Sequence, residues 1–119
     1  MRIEILDIVE RGVPNKECLV LKVIAECDLS YFIVLDTVYL TPNSISSSNK
    51  NSYWFKPKKV KSGDYILLYS GIGKDSESNN TDGSVNHVMC WGKSNTLWNK
   101  EGDCAVLFEI SSWQTTKYK

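Results

Sequence analysis

Apolar residues in this chain come in short β-branched and aromatic runs, and nowhere at helical spacing. The runs cover 3–9, 18–24, 31–35, 38–40, 53–55, 65–69, 88–91 and 104–110. Their composition is that of strands. Between them stand turn sequences: Gly12-Val13-Pro14-Asn15, Ser62-Gly63-Asp64, Asp82-Gly83-Ser84 and Glu101-Gly102-Asp103. Alternating strands and helices would need helical stretches of about ten residues or more between runs, and there is no room for them. The pattern predicts an all-β fold, an antiparallel β-sandwich of about seven to nine short strands.

A chain of 119 residues is one domain and can bury a core without metal or disulfide support. Two stretches, 41–52 and 71–86, are rich in Ser, Asn, Thr and charged residues and are expected as exposed loops. Lys plus Arg and Asp plus Glu both total 14, so there is no general attraction to nucleic acid or to an anionic membrane. No stretch reaches the length of a membrane span. The opening Met1-Arg2-Ile3-Glu4 is not a signal peptide, so an intracellular protein is expected unless a leader has been removed. The four cysteines, Cys18, Cys27, Cys90 and Cys104, form no CxxC pair. Cys18 and Cys104 lie inside apolar runs and are expected as buried free thiols.

The chemistry-bearing residues are sparse. His87 is the sole histidine, with Asp82 and Ser84 near it in sequence but no nucleophile elbow around any serine. An enzyme would need His87 beside Asp82 or another carboxylate in a concave pocket. His87 and Cys90 make one HxxC pair, where structural zinc needs two such pairs. The acidic stretch 75–82 lacks the glycine and glutamate of an EF-hand. No catalytic residue, cofactor or metal is therefore expected. Lys56, Lys58, Lys59 and Lys61 form the one concentrated positive patch, beside the aromatic run that contains Trp54. Lysines of this kind contact phosphates or protect a strand edge from aggregation. Of the four tryptophans, Trp91 and Trp98 follow apolar residues and are expected in the core. Trp113 sits among polar residues and is the expected exposed, docking aromatic.

Several segments resemble lamin tail domains. Asp28-Leu29-Ser30-Tyr31-Phe32-Ile33-Val34-Leu35-Asp36 is similar to that family's "DLSGW-x-L-x-D" element, with Tyr31 where glycine is usual and Phe32 where tryptophan is usual. Phe55, Val60, Ser62-Gly63-Asp64-Tyr65 and Leu67 resemble its "F-x-x-G-x-x-L-x-P-G-x-Y" stretch. Leu97-Trp98-Asn99-Lys100-Glu101-Gly102-Asp103-Cys104-Ala105-Val106-Leu107 resembles "W-N-N-x-G-D-x-A-x-L", the most specific match. The resemblance spans roughly residues 3 to 110 and implies an immunoglobulin-like sandwich without catalytic residues. In lamins the domain is associated with protein partners and with DNA or chromatin; similar bacterial domains accompany secreted or surface hydrolases. The chain has no coiled-coil heptads, so a filament role is not expected. The matched residues read as structural: Leu29 and Phe32 facing inward, Asn99 bonding backbone, Gly102-Asp103 reversing the chain.

The resulting expectation is a non-catalytic binding module. Another protein is the first partner class, and it requires a contiguous exposed apolar patch. Nucleic acid held by Lys56, Lys58, Lys59 and Lys61 is the second; neutralisation by Asp64 or the Glu77 loop would count against it. A carbohydrate module is the third, and it requires a groove of coplanar rings.

Overall fold

The computed structural model describes residues 1–48 and 51–118. Among the described residues there are eleven strands: β1 (Ile3–Val9), β2 (Cys18–Val23), β3 (Cys27–Asp28), β4 (Phe32–Thr41), β5 (Ser44–Ile45), β6 (Asn51–Trp54), β7 (Lys59–Val60), β8 (Tyr65–Tyr69), β9 (Ser76–Asn79), β10 (Val85–Cys90) and β11 (Asp103–Glu109). Three of them, β3, β5 and β7, are only two residues long, which brings the count above the seven to nine read from apolar runs. One sheet has the order β1-β2-β8-β10-β9; the facing sheet has β11-β4-β5, with β6 also on β4; β3 and β7 form a small ribbon. The fold is an all-β sandwich. Pairing is antiparallel with one exception, β8 beside β10, which run parallel. The chain joins these two by way of β9, which lies beyond β10.

Each sheet contributes one face to the core. Leu19, Leu21, Ile66, Leu68 and Met89 come from the larger sheet, Phe32 and Val34 from the smaller, Val60 from the β3–β7 ribbon, and Leu29, Phe55 and Trp98 from the connections. Burying a side chain of the Leu or Phe class contributes about 1.5–3 kcal/mol. In β1 both Ile3 and Ile8 are buried although they have opposite parity, while Ile5, Leu6 and Val9 are exposed. A bulge between Ile5 and Asp7 explains this, because one extra residue turns the following side chains to the other face.

The residues that interrupt the apolar runs behave in three ways. Asp36 and Thr37 do not end a strand: 32–41 is one strand, and both are buried. Asn51 Nδ2 donates to Asp36 Oδ2 at 3.0 Å, and Thr37 Oγ1 donates to the Ser46 carbonyl at 3.0 Å. The polar stretch 71–86 contains an exposed strand, β9, held by backbone pairing to β10. Asp28 caps a 3₁₀ turn (Leu29–Tyr31), accepting from the Ser30 N–H at 2.9 Å and the Ser30 hydroxyl at 2.7 Å. That turn drops Leu29 and Phe32 into the core, both fully buried. Asn99 departs from its expected role: its Nδ2 donates to the Thr96 hydroxyl at 3.1 Å rather than to backbone. Cys18 and Cys27 are buried and Cys90 and Cys104 half-buried, all as free thiols.

Candidate interaction surface

In a strand with one face buried, the odd or even residues point the other way. Phe32 and Val34 face the core, so Ile33 and Leu35 face outward from β4. The register places Phe108 of β11 and Trp54 of β6 on either side of Ile33, and Val106 beside Leu35. Residues paired across strands share a face. The outer face of the smaller sheet is therefore apolar as well as the inner one. Trp54 is 49% exposed and Phe108 46%.

The C-terminal segment returns over this face. The Trp113 ring meets the Trp54 ring edge to face, with centroids 5.3 Å apart and planes at 83°. Trp113 is itself 55% exposed. Trp54 is held by its indole N–H, which donates to the Ser30 carbonyl at 2.7 Å. Ile33, Trp54, Ile110, Trp113 and Thr115 line a shallow groove of about 280 Å³. The two tryptophans singled out from sequence are thus brought together. Ile33, Phe108 and Ile110 were not foreseen. Their signal was present in the unbroken apolar stretches of β4 and β11, since a solvated outer face would alternate with polar residues.

The lysine patch is divided. Lys58 Nζ lies 2.6 Å from Glu77 Oε1, whereas Lys56, Lys59 and Lys61 are exposed. Lys58 holds the Glu77 carboxyl below the usual range, joined by a smaller contribution from His87.

His87 is buried, with Nε2 2.8 Å from Asp64 Oδ2 and Nδ1 3.4 Å from Glu77 Oε1. The second distance lacks hydrogen-bond geometry, and Nδ1 has no hydrogen-bond partner. Asp64 also accepts from the N–H groups of Lys61 at 3.1 Å and Val85 at 3.0 Å. Burial pulls the Asp64 carboxyl upward; His87 and these two N–H groups outweigh it and hold it below the ordinary range. An ionised Asp64 cannot donate, so Nε2 carries the proton of that bond. Asp82, the neighbour suggested by sequence, instead accepts from Ser84 N–H at 2.9 Å and its hydroxyl at 2.6 Å. The Asp64–His87 pair ties the turn before β8 to β10. Its chemistry is that of an orienting pair, and among the described residues no hydroxyl or thiol is bonded to the imidazole.

Another buried acid, Glu17, accepts hydrogen bonds from four neutral donors: Gly12 N–H at 2.8 Å, Ser70 hydroxyl at 2.7 Å, Leu97 N–H at 2.7 Å and Trp98 N–H at 3.0 Å. It knits the loop after β1, the end of β8 and the loop before β11. Among the described residues no group of three His, Cys, Asp or Glu side chains is placed to hold a metal ion, and no helix is long and apolar enough to cross a membrane. No protein-family model matches the chain, and no curated protein matches it either.

Proposed function

We propose that this domain is a non-catalytic binding module that takes up another protein on the outer face of its smaller sheet. The observation that carries the reading is the row Trp54–Ile33–Phe108 with Trp113 leaning on it, an apolar aromatic surface left in water. Aromatic anchors around a shallow groove are what protein interfaces concentrate their binding energy on. The ring planes of Trp54 and Trp113 stand nearly perpendicular, which gives a sugar no flat platform and weighs against the carbohydrate reading. The nucleic-acid reading through Lys56, Lys58, Lys59 and Lys61 draws less support, because Glu77 already engages Lys58. Kinship with lamin tail domains is part of the proposal. Its support is that Asp28, Leu29, Phe32 and Trp98, all within the matched segments, cap a turn or fill the core.

A displayed peptide library panned on the wild-type chain and on Trp54→Ser/Trp113→Ser tests the reading. Binders should lose about tenfold or more in affinity on the double variant. Binders indifferent to both substitutions, or none at all, would overturn it. Anisotropy of a labelled DNA duplex across a salt series, with the four lysines changed to alanine as control, decides the nucleic-acid alternative.

A further inference from the structure

A sandwich has four sheet edges, and each must be protected or used. In this chain β1 carries a bulge together with Glu4 and Asp7. Strand β9 is short and wholly polar. On the far side of β4, β5 has two residues and β6 four. The remaining edge, β11, is different. It is seven residues long, pairs β4 in unbroken register from Asp103↔Val38 to Glu109↔Phe32, and has neither lysine nor proline.

Its free hydrogen-bonding groups can be assigned. Tyr39 N–H bonds the Gly102 carbonyl and Ile110 N–H bonds the Tyr31 carbonyl, so the even-numbered residues of β11 bond toward β4. Ala105 and Leu107 consequently turn their N–H and C=O groups outward, while their side chains pack on the core.

Across the open side of the sandwich stands β1, whose outer edge is also unpaired. The two strands are tied at both ends. Arg2 Nε bonds Glu109 Oε2 at 3.0 Å and Arg2 N–H bonds Glu109 Oε1 at 3.1 Å; Arg11 Nη1 bonds the Asp103 carbonyl at 3.0 Å. Between these ties lies an apolar groove of about 460 Å³, lined by Ile3, Ile5, Ile45, Ala105, Val106 and Leu107. Met1 and Glu4 also line it, and no lysine or arginine among the described residues does. Facing sheets lie about 10 Å apart and paired strands about 4.8 Å, so a single strand fills the gap between two facing edges.

We propose that this groove is a strand-addition site for an extended peptide segment of another protein, with alternating apolar residues and a basic residue placed opposite Glu4. The peptide backbone bonds Ala105 and Leu107, its apolar side chains meet the groove wall, and its lysine or arginine meets the Glu4 carboxylate. A second copy of this chain is the poorer fit. Antiparallel pairing of β11 with itself through Ala105 and Leu107 sets Asp103 opposite Glu109 at both ends, and the arginine ties leave room for a strand rather than a folded face. The site uses neither Trp54 nor Trp113, so its test and that of the aromatic face are separable.

The probe is a synthetic peptide of about nine residues alternating valine and threonine, with one threonine replaced by lysine, and a counterpart carrying glutamate instead. Amide hydrogen exchange is followed residue by residue in the full chain. The lysine peptide should slow exchange at Ala105 and Leu107 by about tenfold or more. Ala105→Pro removes one outward N–H at an edge position where proline is tolerated, and should abolish binding. Should that variant fail to fold, Glu4→Lys decides: it leaves the core untouched and should reverse the preference toward the glutamate peptide. Absence of protection at Ala105 and Leu107 with either peptide, or an unchanged preference in Glu4→Lys, overturns the proposal. So does protection that arises without peptide and grows with protein concentration, which would make a second copy the occupant.

Discussion

Glu17 is the residue on which the loops at one end of the sandwich converge. Burial pulls its carboxyl upward, but donors from Gly12, Ser70, Leu97 and Trp98 outweigh it and hold the group below its ordinary range. Removing the acceptor strands several buried donors at once. Glu17→Ala should therefore cost roughly 3 kcal/mol or more, lowering the melting temperature by about 10 °C, as thermal unfolding followed by circular dichroism would show. The pH dependence follows from the same bonds. A carboxyl whose folded value is depressed stabilises the fold above its unfolded value, about 4.3 for glutamate, and that stability is lost as pH falls through the folded value. Asp64 acts in the same direction. Urea midpoints should thus decline from about pH 4.5 downward, and less steeply in a Glu17→Gln/Asp64→Asn variant. None of this was legible in sequence, where Glu17 is one acid before an apolar run. One of its donors, Gly12 N–H, is five residues away, but the other three lie 53 to 81 residues away.

At the scale of elements, the turn into β11 and the outer face of β4 carry the argument. Gly102 has φ +87°, a left-handed conformation, and a Cβ there would come no closer than 3.8 Å to the Tyr39 carbonyl. Gly102→Ala is consequently strained without clashing and should destabilise by about 1–2 kcal/mol in urea titration, with the β4–β11 register retained. The strands themselves were largely legible, because β-branched and aromatic runs bounded by turn residues mark them. The two-residue strands β3, β5 and β7 escaped, and so did two larger features. Strand β9, Ser-Glu-Ser-Asn, has no apolar residue and is held by backbone pairing to β10 and by polar side-chain bonds such as Glu77 to Lys58. Asp36 and Thr37 read as a break, yet buried hydrogen bonds let β4 run through them. The outer face gives a matching prediction. Phe108→Ser should lower the melting temperature less than Trp54→Ser, which also loses the indole bond to the Ser30 carbonyl, and both should reduce adsorption of an apolar dye such as bis-ANS.

For the whole molecule, thiol reactivity reports how the sandwich opens. Burial, with a smaller contribution from Cys90, pushes the Cys18 thiol up to about 12, and Cys27 is buried and raised as well. In native buffer Cys90 and Cys104 should be alkylated first, while Cys18 and Cys27 react only through global opening. Their labelling rate should rise with urea in parallel with unfolding, as mass spectrometry of the labelled peptides would show; fast labelling of Cys18 in water would contradict the packing. By itself the sequence determined the all-β fold class and the identity of Trp54, Trp98 and Trp113 as outstanding side chains. Those are properties of composition and local periodicity, which neighbouring residues settle among themselves. Only the tertiary structure decided the parallel β8–β10 pair, the four donors on Glu17, the Asp64–His87 pair, the meeting of Trp54 with Trp113, and the unprotected β11 edge beside β1. Apart from the Gly12–Glu17 bond, each joins residues far apart in the chain, and strand order and register, which sheet packing selects globally, decide which of them meet.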